Sequence, residues 1–167
     1  MFELESAREE NGRDSATEAA EWYERGIAVQ KTGLFKQAIG HFEKATADRA
    51  YALKAYARIG LCYKSSRQYE EAVTAFRHAL KSPASSIKET VQVLYVLGRT
   101  LESLGRIAET MEAYRWIRRE DPDYRDVEQR IKQLSTRRIS PLGSTSSQRS
   151  WVGGVIRSCQ DLLRVSK

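Results

Sequence analysis

The sequence predicts an all-α chain: a short α-solenoid of three antiparallel helix pairs closed by a capping helix. Three observations predict it. Across 167 residues only three prolines and ten glycines interrupt a composition rich in Ala, Glu, Arg and Leu, all good helix formers. Small and aromatic residues recur at one step: Gly26 and Gly60, Ala38 and Ala72, Phe42 and Phe76, and Ala45 and Ala79 are each 34 residues apart. After the third recurrence, "EDPDYRDVEQRIKQL" carries an apolar stripe on one side and charge on the other, as the last helix of a stack requires.

Taken in order, residues 1–14 are acidic and aperiodic, a pattern that predicts disorder. Ser15 and Glu18 then have capping-box spacing, which starts the first helix near residue 16. Trp22, Gly26 and Val29 form its apolar stripe, and Gly33 ends it; Phe35, Ala38, Ile39, Phe42 and Ala45 form the stripe of its partner. In the second pair Tyr56, Ile59, Gly60 and Tyr63 precede the turn "SSR". Tyr69, Ala72, Val73, Phe76 and Ala79 follow. Tyr69 and Phe76 are close to two helical turns apart, so both rings share a face with Ala72 between them. The expectation is that Ala72 meets the Gly60 region while the rings fill gaps toward adjacent helices.

The third pair is displaced by 38 residues, with Gly98, Thr110, Tyr114 and Ile117 in the equivalent places. Ser86 and Glu89 form a capping box before it, and four extra residues are about one helical turn, which keeps the faces in phase. Leu94, Leu97 and Leu101 precede Gly105; Ile107 and Met111 follow. Connections this short make neighbouring helices antiparallel. Mid-helix glycine costs about 1 kcal/mol relative to alanine. Gly26, Gly60 and Gly98 at one equivalent position therefore predict close backbone approach.

The closing element places Pro122 in its first turn, with Tyr124, Val127, Ile131 and Leu134 on its dry side. The helical domain accordingly spans 15–134, with repeats at about 19–52, 53–86 and 91–124 and the capping helix at 122–134. Residues 135–150 read as a Ser/Arg-rich linker, and 151–167 as a short amphipathic helix that packs on the repeat array of this molecule or of a second copy or, more weakly, on a membrane surface. The alternative is an unstructured tail, because Gly153 and Gly154 weaken the helix.

The net charge of +6 is unevenly spread. Seven acidic and two basic residues give −5 over 1–21, twenty basic and fourteen acidic give +6 over 22–134, and six basic and one acidic give +5 over 135–167. The first 21 residues contain no apolar run of secretory type, and no stretch reaches the apolar length of a membrane span. Two cysteines make no disulfide framework, and Cys62 reads as a small buried hydrophobe, which fits a reducing cytoplasm. His41 and His78 lack metal-ligand spacing, and "VGG" at 152–154 lacks the context of a phosphate cradle. The expectation is a binding protein, with neither enzymatic activity nor cofactor nor metal.

Residues 19–124 resemble the tetratricopeptide repeat. The first copy shows Trp22, Gly26, Gly33, Ala38, Phe42 and Ala45, with Arg25 and Val29 where the family has Leu and Tyr. The second shows Tyr56, Ile59, Gly60, Tyr63, Ala72, Phe76 and Ala79, with Arg67 in place of the turn glycine. The third shows Gly98, Gly105, Tyr114 and Pro122, with Thr110 and Ile117 for the two alanines. The pentatricopeptide repeats that read RNA lack this Gly, Ala and aromatic set. The resemblance implies a right-handed solenoid whose first helices line a concave groove, met by a ligand at their second, fifth, ninth and twelfth positions. Those positions are Ala20, Tyr23, Ile27 and Gln30; Lys54, Ala57, Leu61 and Lys64; and Gln92, Tyr95, Arg99 and Glu102, with Lys31 and Arg58 adjacent.

Tyr23, Ile27, Leu61 and Tyr95 among Lys31, Lys54, Arg58, Lys64 and Arg99 describe a groove for a peptide with acidic and apolar side chains. The competing structural role is that Ile27 and Leu61 pack between helices while the lysine stems cover apolar surface. Family members that hold chaperone C-termini use a Lys/Asn carboxylate clamp at the fifth and ninth positions. Only Arg99 fits it here, so the clamp is expected to be absent. The function expected is a non-enzymatic adaptor. The alternatives are nucleic-acid binding, disfavoured by the fourteen acidic residues of the middle region, and membrane-peripheral or self-association through 151–167.

Overall fold

A computed structural model describes the backbone of residues 2–83 and 86–137, with side chains described for 15–83 and 86–136. Seven helices and no strands occur among these residues: α1 (Phe2–Lys31), α2 (Phe35–Ala45), α3 (Arg49–Ser65), α4 (Tyr69–Lys81), α5 (Ile87–Ser103), α6 (Ile107–Glu120) and α7 (Val127–Arg137). They fall into two compact units, one holding α1–α4 and one holding α5–α7. In the first, α1 packs on α2, α2 on α3 and α3 on α4, with α1 also touching α3; in the second, α5 packs on α6 and α6 on α7.

The recurring step of the sequence is a steric joint. At Gly26 an added Cβ would lie 2.6 Å from the Phe42 ring, at Gly60 2.6 Å from the Phe76 ring, and at Gly98 2.5 Å from the Tyr114 ring. Each pair is thus closed by an aromatic ring of its second helix seated on a bare patch of its first. Phe42, Phe76 and Tyr114 are completely or almost completely buried, which supplies the apolar burial that favours the joint. This corrects the expectation for Ala72: it is buried, but the Phe76 ring is what meets Gly60. The turns repeat too, with left-handed φ at Gly33 (80°), Arg67 (62°) and Gly105 (70°). Arg67 adopts there a conformation that suits glycine.

Three boundaries differ from the sequence expectation. Helix α1 begins at Phe2, so the acidic stretch is helical and Ser15 lies inside the helix. Glu, Ala and Arg have high helix propensity, and early acidic residues complement the positive helix end even without an apolar stripe. Glu18 instead accepts a hydrogen bond from the Trp22 indole at 3.3 Å. Helix α7 begins at Val127 rather than Pro122, because Arg125 takes a left-handed φ of 49° and breaks the path. It runs to Arg137, into the expected linker. Val127, Ile131 and Leu134 are buried. The remainder of that linker and the amphipathic segment at 151–167 lie outside the described residues.

Two first helices carry side-chain caps. Asp48 accepts from the Ala50 N–H at 2.8 Å, and Ser86 from the Glu89 N–H at 3.3 Å. No described helix is long and apolar enough to cross a membrane.

Candidate functional site

In the first unit, α1 and α3 bring the sequence-selected residues together around Arg58. Its Nε–H donates to the Tyr23 hydroxyl at 3.3 Å and an Nη1–H donates to Gln30 Oε1 at 3.4 Å. Gln30 in turn donates to Cys62 Sγ at 3.3 Å. Tyr23 is wedged between the Phe42 and Tyr51 rings, each 5.6 Å away centre to centre. Ile27 is half-buried against the same core. Burial raises the Cys62 thiol pKa by more than the Gln30 hydrogen bond and the Arg58 charge lower it. The thiol stays protonated and structural.

Around this anchored guanidinium, Lys31 and Lys54 are exposed while Leu61 and Lys64 are half-buried. Arg58 uses two of its five N–H groups on Tyr23 and Gln30, which fixes its plane and leaves donors for an anion. Gln30 and Arg58 are 28 residues apart and Tyr23 and Arg58 are 35 apart, so only helix packing joins them.

Tyr95 and Arg99 belong to the second unit and have different surroundings. Tyr95 is 8% exposed and donates its hydroxyl proton to Asp126 Oδ1 at 2.7 Å. Arg130 bridges Asp126 Oδ2 at 2.7 Å and Glu102 Oε2 at 2.9 Å, and Glu102 also accepts from the Tyr114 hydroxyl at 3.1 Å. Arg99 lies 3.5 Å from the Tyr95 oxygen and 3.9 Å from Glu102. The Arg125 guanidinium covers the Tyr95 ring 4.8 Å from its centre. Tyr95 is therefore a fastening for the turn before α7, and Arg99 is the more accessible member. Asp126 and Arg130 escaped sequence analysis because they read as the polar side of a capping helix.

Burial raises the Asp126 carboxyl pKa, but the Tyr95 hydrogen bond and the Arg130 charge outweigh it and hold the group below the usual carboxylate range. The Tyr114 phenol is pushed far above its ordinary value by burial first and by Glu102 second. Among the described residues no group of three His, Cys, Asp or Glu side chains has metal-site geometry.

A family model described as tetratricopeptide repeat matches residues 53–85, which hold most of α3, its turn and α4. The fold is shared with the first tetratricopeptide-repeat domain of Spaghetti (RPAP3) bound to the HSP90 peptide SRMEEVD. The TM-score is 0.62 at 15% identity, covering 75% of this chain and 98% of that one. It is also shared with the second such domain of human RPAP3, in complex with the HSP70 peptide SGPTIEEVD. Here the TM-score is 0.57 at 17% identity, covering 74% and 98%. No curated protein matches the sequence. The tetratricopeptide-repeat match thus falls on the central helix pair, and the chain shares its helix-pair fold with these solved tetratricopeptide-repeat domains.

Proposed function

We propose that the chain is a non-enzymatic adaptor that captures an acidic, partly apolar peptide on the α1–α3 face of its first unit. The observation that carries this is Arg58, a guanidinium oriented by Tyr23 and Gln30 with donors to spare and exposed Lys31 and Lys54 on the same helices. A preoriented guanidinium loses little freedom on binding a carboxylate, and the flanking lysines add attraction at range. The solved relatives support the reading through the acidic peptides in their titles, SRMEEVD and SGPTIEEVD.

The mode of capture differs from a terminal-carboxylate clamp. At the fifth and ninth positions the first unit offers Tyr23, Ile27, Ala57 and Leu61, none of which is a cation. Side-chain carboxylates of the peptide supply the recognition instead.

The test is fluorescence anisotropy with labelled SGPTIEEVD, acidic and apolar with no basic residue, on the full chain and on the Lys31→Glu/Lys54→Glu variant. Both positions are exposed, so the fold is retained. The reading expects saturable binding, weakened roughly tenfold in the variant and little changed when the peptide's C-terminus is amidated. Equal binding by the variant places capture elsewhere.

A further inference from the structure

The other side of α3 carries a cleft with the opposite charge. At 100° per residue, Tyr56, Ile59 and Tyr63 lie about 165° around the helix from Lys54, Arg58 and Leu61. With α2 and α4 they line an open cleft of about 540 Å³ within the first unit. Its floor is apolar and aromatic: Ile59 is buried, Tyr56 and Tyr63 are half-buried, and His78 stacks on Tyr56 with ring centres 5.4 Å apart. Its rim includes Glu43 from α2 and Glu71 from α4, both exposed. Neither carboxylate makes an ion pair among the described residues.

We infer that this α2–α3–α4 cleft is a second docking site, for a protein segment in which an arginine or lysine stands beside a bulky apolar side chain. Charge complementarity selects that occupant. The apolar stem and neighbour of the basic residue fit the aromatic floor, and its cationic head fits the tyrosine faces and the two rim carboxylates. A carboxylate-bearing peptide is repelled by the same rim. The two faces of α3 thereby sort two peptides by charge, which is how one helix pair joins two partners.

The test is NMR titration of the full chain with an acetylated, amidated hexapeptide of alternating Arg and Leu, alongside its Glu/Leu counterpart. The Arg/Leu peptide is expected to shift the Ile59, Thr74, Ala75 and His78 amides saturably. Glu43→Lys/Glu71→Lys should weaken it roughly tenfold while sparing binding of SGPTIEEVD, which has no basic residue. The Glu/Leu peptide should leave these amides unmoved. Absence of saturable shifts, or an affinity within about twofold in the variant, overturns the site. Concentration-dependent shifts of the same amides without peptide would make a second copy of the chain the occupant and overturn the assignment to a separate partner.

Discussion

Gly60→Ala is the sharpest probe of the packing. Its Cβ would stand 2.6 Å from a Phe76 ring carbon, against an ordinary carbon–carbon separation of about 3.5–4.0 Å. The Phe76 ring is 1% exposed and has no open side, so α3 and α4 must separate by about 1 Å. Overpacking of this kind costs about 1–3 kcal/mol. The same substitution in an unobstructed helix stabilises by about 1 kcal/mol. Gly40, within α2, supplies that reference, because nothing lies within 4 Å of its Cβ position. Urea unfolding of both variants should show Gly40→Ala above the parent and Gly60→Ala below Gly40→Ala by about 1–3 kcal/mol. Adding Phe76→Leu should recover part of the Gly60→Ala loss, with a favourable coupling of at least about 0.5 kcal/mol. If the two alanine variants unfold at the same urea concentration, the ring-on-glycine joint is not what sets the spacing.

Other expectations follow from the same geometry. Arg67→Gly should raise stability by about 0.5–1 kcal/mol in urea unfolding, since Arg67 sits at a φ of 62° where its two equivalents are glycine. Asp48→Ala should lower it by about 1 kcal/mol through loss of the α3 cap. The Asp126 carboxyl has a folded pKa below its unfolded value. Its contribution is therefore complete above the unfolded value of about 3.9 and disappears as pH falls through the lower, folded one. Hydrogen exchange of α7 should accelerate in that acid range, and Asp126→Asn should be less protected at pH 7 with a shallower acid dependence. Arg130→Met should unfasten α7 more strongly, by about 2 kcal/mol, because it strips partners from both Glu102 and Asp126.

The helix pairs were legible in the sequence because their joint is periodic: a glycine and a ring recur together, and the ring fits only where the glycine is. The Arg58 cluster was half-legible. Position along the first helices marked Tyr23, Gln30 and Arg58 singly, but their hydrogen bonds depend on how α1 lies on α3. That same tie makes Arg58 a poor choice for a charge-reversal test, since Arg58→Glu also unseats Tyr23. Tyr95 looked like a groove residue because nothing in the local pattern shows that a turn 31 residues later folds onto its hydroxyl. The N-terminal helix was missed for the reverse reason. Its helix propensity comes without an apolar period, so no stripe marks it in the sequence. The acidic cleft was hidden because its walls come from three helices, each of which reads as an ordinary amphipathic stripe.

The most direct measurement is an amide-shift titration of the full chain with unlabelled SGPTIEEVD, which carries no basic residue. Saturable shifts should run along α1 and α3 through Tyr23, Gln30, Lys54, Arg58 and Leu61, with α2 and α4 quiet. Shifts concentrated at Glu43, Thr74 and His78, or none at all, would contradict capture on the α1–α3 face.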